Sequence, residues 1–250
     1  MKFSICTDSV LRHMNTADAI RTAGELGYCA VEFWSWWDKD IPAINRSRLD
    51  NKVDISAICT KFASLTDRSK RKEYVQGLRE TIETAKILDC RCVIAQVGND
   101  TGEAFEVQKR NIQEGLAECS LLLEKQGITL AIEPLNTTID HGGYFLWSSD
   151  VAADIIGEVN SPHIKLLFDY YHQQIMEGDI IRRSLKLLDK IGHVHVAGNP
   201  GRHEPDHGEI AYREVLKELI AAGYQGYIGL EYFPEEDPII GLKKLIEWRV

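Results

Sequence analysis

The sequence predicts an α/β protein in which eight parallel strands close into a barrel with helices outside. Three observations carry this. Strand-type and helix-type patterns alternate from one end of the chain to the other. Eight such units fall within 250 residues, a length that barrels routinely use for one domain. Finally, a strand at His193–Ala197 breaks at Gly198, Asn199, Pro200 and Gly201. It opens into a loop dense in charge and imidazole: Arg202, His203, Glu204, Asp206, His207 and Glu209. Parallel-sheet enzymes keep their chemistry at such strand ends. A doubly wound sheet is the competing arrangement.

Each element has a local reason. Phe3–Thr7 reads as the first strand. Thr16–Glu25 reads as a helix, with Thr16 as its N-cap and Gly27 just past its end. Ala30–Trp34 is the second strand, followed by a short helical region at Ile41–Leu49. Val53–Cys59 is the third strand, and Ser69–Leu88 a long amphipathic helix. Cys92–Gln96 and the helix Phe105–Gln126 make the fourth unit. Thr129–Glu133 and Ser149–Val159 make the fifth. The sixth pairs Ile164–Asp169 with a helix near Ile180–Ile191. His193–Ala197 and Tyr212–Ala222 follow, then Tyr227–Glu231 and the closing helix Pro238–Trp248. No linker, low-complexity tract or composition shift separates the units, so residues 1–250 are expected to form a single (β/α)8 TIM-barrel domain.

Composition narrows the function classes. The chain is 44% hydrophobic and 27% charged, which is ordinary globular usage. Its formal net charge of −9 argues against a nucleic-acid partner. There is no signal-peptide core at the N-terminus and no run of apolar residues long enough to span a bilayer. A cytoplasmic protein with no membrane partner is therefore expected, and a homo-oligomer is left open. The six cysteines, Cys6, Cys29, Cys59, Cys90, Cys92 and Cys119, form no CxxC pair and read as buried thiols.

Side chains of a strand alternate between its two faces. In the last four strands Leu130, Ile132, Leu166, Phe168, Val194, Val196, Ile228 and Leu230 form the apolar set facing the helices. The opposite parity turns Glu133, Asp169, His195 and Glu231 inward, at or near the top of consecutive strands. Three carboxylates in one pocket repel unless a cation joins them. Three oxygens and one nitrogen suit a six-coordinate Mn²⁺ or Mg²⁺, and the set lacks the thiolates of structural zinc. Four unrelated polar residues paired with Lys or Arg are the structural alternative.

These residues carry a resemblance. The stretches Ile132-Glu133-Pro134-Leu135-Asn136, Phe168-Asp169-Tyr170-Tyr171-His172 and Met176-Glu177-Gly178-Asp179 match a known pattern. So do Gly201-Arg202-His203-Glu204-Pro205 and Gly208-Glu209-Ile210. The sequence resembles the xylose isomerase-like TIM-barrel superfamily of sugar isomerases and epimerases, and within it the hydroxypyruvate isomerase family. The resemblance implies one divalent metal ion held by Glu133, Asp169, His195 and Glu231. It also implies Glu133 and Glu231 as the catalytic acid/base pair, with His172 and Arg202 in contact with substrate. His195 matches the ketose 3-epimerases, since hydroxypyruvate isomerases often carry Gln there. Ile139, in turn, stands where those epimerases place a second Glu. The substrate is thus a small hydroxy-keto acid or a keto sugar.

Moving a carbonyl to the adjacent carbon removes an alpha proton and returns it next door through an enediolate. A divalent ion stabilises that charge, and a carboxylate on each side can carry the proton. Two other readings stand beside this one. Abasic-DNA endonucleases share the superfamily but need extra histidines on strands three and four, where this chain offers Cys59, Thr60 and Gln96. A non-catalytic sugar-binding barrel would not require both Glu residues.

Lesser signals remain. His172 is read in a loop after the sixth strand. Arg202 could merely pair with Glu204 or Asp206. His203 and His207 divide evenly between structural and functional roles. Glu32 has inward parity and can hydrogen-bond within the pocket. Trp34, Trp36 and Trp37 either wall the pocket or pack under the rim. His193, one inward step below His195, reads as a hydrogen-bonded core histidine.

Overall fold

The structure, a computed structural model, describes residues 1–248; Arg249 and Val250, the last two residues of the expected unit, lie outside the described residues. Eight parallel strands form a closed barrel in sequence order. They are β1 (Lys2–Cys6), β2 (Ala30–Phe33), β3 (Asp54–Cys59), β4 (Cys92–Ala95), β5 (Thr129–Ile132), β6 (Ile164–Asp169), β7 (Ile191–Val196) and β8 (Tyr227–Leu230). Closure is made by β8 against β1, with Phe3 opposite Ile228 and Ile5 opposite Leu230. The helices are α1 (Thr16–Glu25), α2 (Ile41–Asn51), α3 (Arg71–Ile87), α4 (Phe105–Gln126), α5 (Ser149–Val159), α6 (Tyr170–Met176), α7 (Ile180–Lys186), α8 (Tyr212–Ala221) and α9 (Pro238–Ile246).

The expected alternation sorts the core into two regions. Val31, Ile58, Val93, Leu130, Leu166, Val194 and Ile228 pack outward against the helices in one large cluster. Inside the barrel, Ala57, Cys59, Cys92, Ile94, Ala131 and Leu167 form a separate small cluster. Five of the six cysteines are buried, Cys29 is half-buried, and all are free thiols.

Several local expectations are corrected. The N-cap of α1 is Asn15 rather than Thr16, because the Asn15 side chain accepts from the Asp18 amide. The long third helix starts with a 3-10 turn at Arg68–Lys70, capped by Asp67. The expected helix at Ile180–Ile191 ends at Lys186, because a 3-10 turn at Leu188–Lys190 and then β7 take over the remaining residues. His172 does not sit in a loop. It lies on α6, an unexpected two-turn helix that begins directly where β6 ends.

The cause of that helix is local. The Asp169 carboxylate accepts from the amides of Tyr171 and His172 at 2.8 and 3.4 Å, so the last strand residue is also the helix cap. Conversely, Glu133 and Glu231 fall one residue beyond β5 and β8. Their amides still donate to Ala95 and Val196 carbonyls at 3.3 and 3.2 Å, so the ladder carries the strand parity to both carboxylates.

Candidate active site

At the top of the barrel, Glu133, Asp169, His195 and Glu231 come together from four consecutive strands. One potential ligand atom from each lies within 4.8 Å of all the others. His195 Nδ1 is 3.7 Å from Glu133 Oε1 and 3.5 Å from Glu231 Oε2. All four are buried, none more than 5% exposed. Asp169 and His195 are direct cross-strand partners, as are His195 and Gly229, which sets the spacing.

Their hydrogen bonding is incomplete in a particular way. Glu133 Oε1, Asp169 Oδ2 and both ring nitrogens of His195 have no aligned hydrogen-bond partner among the described residues, and Nδ1 is the nitrogen that faces the carboxylates. Buried polar atoms are costly when unpaired, by roughly 1–3 kcal/mol each. Burial pushes the Asp169 carboxyl up to about 7, although the Arg202 and His195 charges pull the other way. Burial likewise opposes a charged His195, yet Glu231 and Glu32 raise its pKa well above the ordinary imidazole value. The cluster thus carries more negative than positive charge and presents three free donor atoms to one point. Two carboxylate oxygens and, once a cation displaces its proton, the imidazole Nδ1 at that point fit a hard divalent ion.

Glu231 is the most tightly held member. Trp34 Nε1 donates to its Oε1 at 2.6 Å, and the Arg202 guanidinium donates to Oε2. Burial disfavours its ionised form, but His195 and Arg202 outweigh that and hold the carboxyl well below the usual range. Arg202 itself is sandwiched by the rings of Tyr171 and Phe233, at 5.5 and 5.8 Å. Its backbone is left-handed, φ 58°, in a loop folded back on itself by Glu209 N donating to Asn199 O at 2.8 Å. Gly208 permits this fold: at φ 94°, an added Cβ would lie 2.3 Å from the Asn199 oxygen.

His172 is fully buried. Its Nδ1 accepts from the Asn136 amide at 3.3 Å and lies 2.7 Å from Asn136 Nδ2. Two donors at Nδ1 leave the proton on Nε2, which lies 3.5 Å from Asp169 Oδ2. Burial keeps this imidazole neutral by lowering its pKa well below the ordinary value.

A cavity of about 790 Å³ opens beside the cluster, lined by Glu133, Glu231, Arg202, Trp34, His141 and Phe233 among others. Cys59 and Gln96 also reach it. The sequence did not single out His141, a lone imidazole in a Gly-rich loop whose ring meets His172 edge-on at 5.3 Å. Nor did it single out Tyr144, whose hydroxyl donates to the Glu133 carbonyl at 3.1 Å and accepts from Val97 N at 2.8 Å. Neither carries a periodic signal, so only tertiary contact reveals them. The other candidates fall outside the cluster. His203 contacts the Phe233 carbonyl through Nδ1 at 2.8 Å, and His207 is exposed beside Asp206. Glu204 is buried and accepts from Glu235 N at 3.3 Å. Trp36 donates to Thr81 Oγ1 at 3.1 Å, while Trp37 lies at the surface against Phe62.

Comparison with known proteins agrees with the fold. A family model described as "Xylose isomerase-like TIM barrel" matches residues 20–248. A hydroxypyruvate isomerase of Escherichia coli is 30% identical, with 91% of each chain covered. A 2-oxo-tetronate isomerase of Cupriavidus necator is 42% identical over 52% of this chain and 49% of its own length. A solved structure titled AP endonuclease, family 2, from Brucella melitensis superposes with a TM-score of 0.94 at 28% identity, covering 100% of this chain and 99% of that one.

Proposed function

This chain belongs to the xylose isomerase-like TIM barrel family, and from that premise we propose a metal-dependent isomerase that moves a carbonyl between adjacent carbons of a short 2-oxo acid. Isomerase activity accords with the relatives named hydroxypyruvate isomerase and 2-oxo-tetronate isomerase. Both of those names denote short 2-oxo acids with a hydroxyl on the next carbon. The observation that carries the reading is the convergence of two carboxylates, Glu133 and Glu231, on Nδ1 of His195 at the wall of one cavity.

Glu133, Asp169, His195 and Glu231 are the residues that would hold a Mn²⁺ or Mg²⁺ ion. When bound, such an ion polarises the carbonyl and stabilises enediolate charge. The chain's own groups do the rest. One Glu takes the proton from the hydroxyl-bearing carbon, and that C–H pair becomes the C–C double bond of the enediolate. The other Glu, entering the cycle protonated, delivers its proton to the former carbonyl carbon while the hydroxyl proton passes to the former carbonyl oxygen and the neighbouring oxygen becomes the new carbonyl; exchange with solvent returns both carboxyls to their starting states. Arg202, at the cavity wall, is suited to hold a substrate oxygen, and with His195 it keeps Glu231 anionic; His172, the other expected contact, is fully buried and off the cavity lining, with Nε2 toward Asp169.

The test is turnover of hydroxypyruvate in D2O with added Mn²⁺, read by proton NMR. Loss of the C3 methylene signal with appearance of an aldehyde proton at C3 and solvent-derived deuterium at C2 is expected. No turnover of any short hydroxy-keto acid or keto sugar would sink the reading. Inversion at C3 of a keto sugar without carbonyl migration would instead support an epimerase, the reading His195 favours. An abasic-DNA nuclease is disfavoured because Cys59 and Gln96 occupy the cavity positions at the ends of β3 and β4. Incision of an abasic duplex would reverse that judgement.

A further inference from the structure

Beneath the candidate ligands, the barrel interior holds a second polar layer. Glu32, on β2, is 2% exposed and lies between two imidazoles. Its Oε2 is hydrogen-bonded to His193 Nε2 at 2.9 Å, and its Oε1 lies 2.6 Å from His195 Nε2, an ion-pair contact in which neither atom has another hydrogen-bond partner among the described residues. Ser56 Oγ also donates to Oε2 at 3.0 Å. Ser56 faces inward because β3 gains one residue against β2: Val31 pairs with Ile55 and Glu32 with Ala57. The two imidazoles stand edge-to-face, their centroids 5.0 Å apart.

Space for this arrangement comes from β8. Gly229 is directly opposite His195, and a Cβ there would lie 2.5 Å from both Glu32 Oε1 and His195 Cδ2. The His195 ring therefore has one side toward Glu32 and the other, Nδ1, toward Glu133 and Glu231.

We infer that Glu32 is a positioning residue for the metal centre, fixing His195 with its proton on Nε2 so that the Nδ1 lone pair faces the ion. This rests on the metal-dependent reading above. A carboxylate has two acceptor oxygens, and here each faces one imidazole Nε2. An imidazole that donates one ring N–H to a carboxylate has its tautomer and ring angle set, and its other nitrogen becomes the better ligand. His193 completes the clamp by holding the second oxygen, which orients the carboxylate plane toward His195. An amide at this position offers a single acceptor. It cannot receive both Nε2–H groups, so one imidazole must lose its partner or change tautomer.

The experiment measures ion affinity and histidine tautomer rather than turnover. In Glu32→Gln, Mn²⁺ affinity by titration calorimetry should weaken by about 10- to 100-fold, the range for outer-sphere partners of a ligating histidine. Equal affinity in the folded variant, checked by circular dichroism, overturns the inference. If the variant does not fold, the unaltered protein still decides. With imidazole ¹⁵N labelling and Zn²⁺ as a diamagnetic probe, His195 should keep its proton on Nε2 while Nδ1 shifts on ion addition. An ion shift at Nε2, or a proton on Nδ1, overturns the inference with the ion bound. Absence of Mn²⁺ uptake by the unaltered protein removes the metal reading and this inference together.

Discussion

At the scale of single residues, Glu133 and Glu231 are chemically alike but differently held. Both oxygens of Glu231 accept hydrogen bonds, from Trp34 and Arg202, whereas Glu133 Oε1 has no partner among the described residues. Glutamine keeps one oxygen but cannot act as a base near neutral pH. Either Glu→Gln variant should therefore lower kcat by about 10²- to 10⁴-fold. Metal retention should differ between them. In Glu231→Gln the amide NH2 must face one of two donors, so this variant should bind Mn²⁺ more weakly than Glu133→Gln. Metal content and single-turnover rates of the two proteins check this. Undiminished activity in both variants with metal bound, together with no solvent exchange, would rule out the proton-relay assignment. Strand parity made Glu133, Asp169, His195 and Glu231 legible before any contact was known. Trp34's bond to Glu231 was not, because it joins residues 197 positions apart.

At the scale of elements, the connection after β6 matters most. The stretch Met176-Glu177-Gly178-Asp179 has a structural explanation. Glu177, at the end of α6, accepts from Ser148 Oγ at 2.8 Å, from Ser149 N at 3.1 Å and from Ser149 Oγ, at the start of α5. Arg183 of α7 lies 3.3 Å away. One carboxylate thus joins three helices and sits where a helix N-terminus favours negative charge. Glu177→Ala leaves the buried Ser148 and Ser149 donors without this acceptor, and should cost about 1–3 kcal/mol in urea unfolding. A change within a few tenths would show that the tie contributes little. The helix α6 itself escapes sequence reading because two turns are too few to display a 3.6-residue period. Its cap, Asp169, is also spoken for as the last residue of a strand.

At the scale of the whole molecule, the barrel brings like charges together that no local interaction would. Closing β8 on β1 sets the strands' carboxyl ends on one rim, and the carboxylates meet there at a cost the described cations only partly offset. A bound divalent ion would offset the remainder. Ion at 100 times its Kd should add about 2.7 kcal/mol of stability. That corresponds to roughly 5–10 °C in Tm for a chain of this size. Thermal scans in EDTA and in excess Mn²⁺ check this, and coincident transitions would argue against a built cation site. Among the described residues no helix is long and apolar enough to cross a membrane.

By itself the sequence determined the barrel and the inward face of its last four strands. It did so because period-two alternation and helical crossovers are local, and handedness leaves few ways to connect them. It therefore also determined which four polar residues share the rim. Only the tertiary structure decided what surrounds them: His141 and Tyr144 from an irregular loop, Trp34 against Glu231, and Glu32 between two imidazoles in the space left by Gly229. These contacts join distant segments and depend on barrel closure, a bulge in β3 and the volume of a missing side chain. None of those quantities has a period that a linear pattern can express.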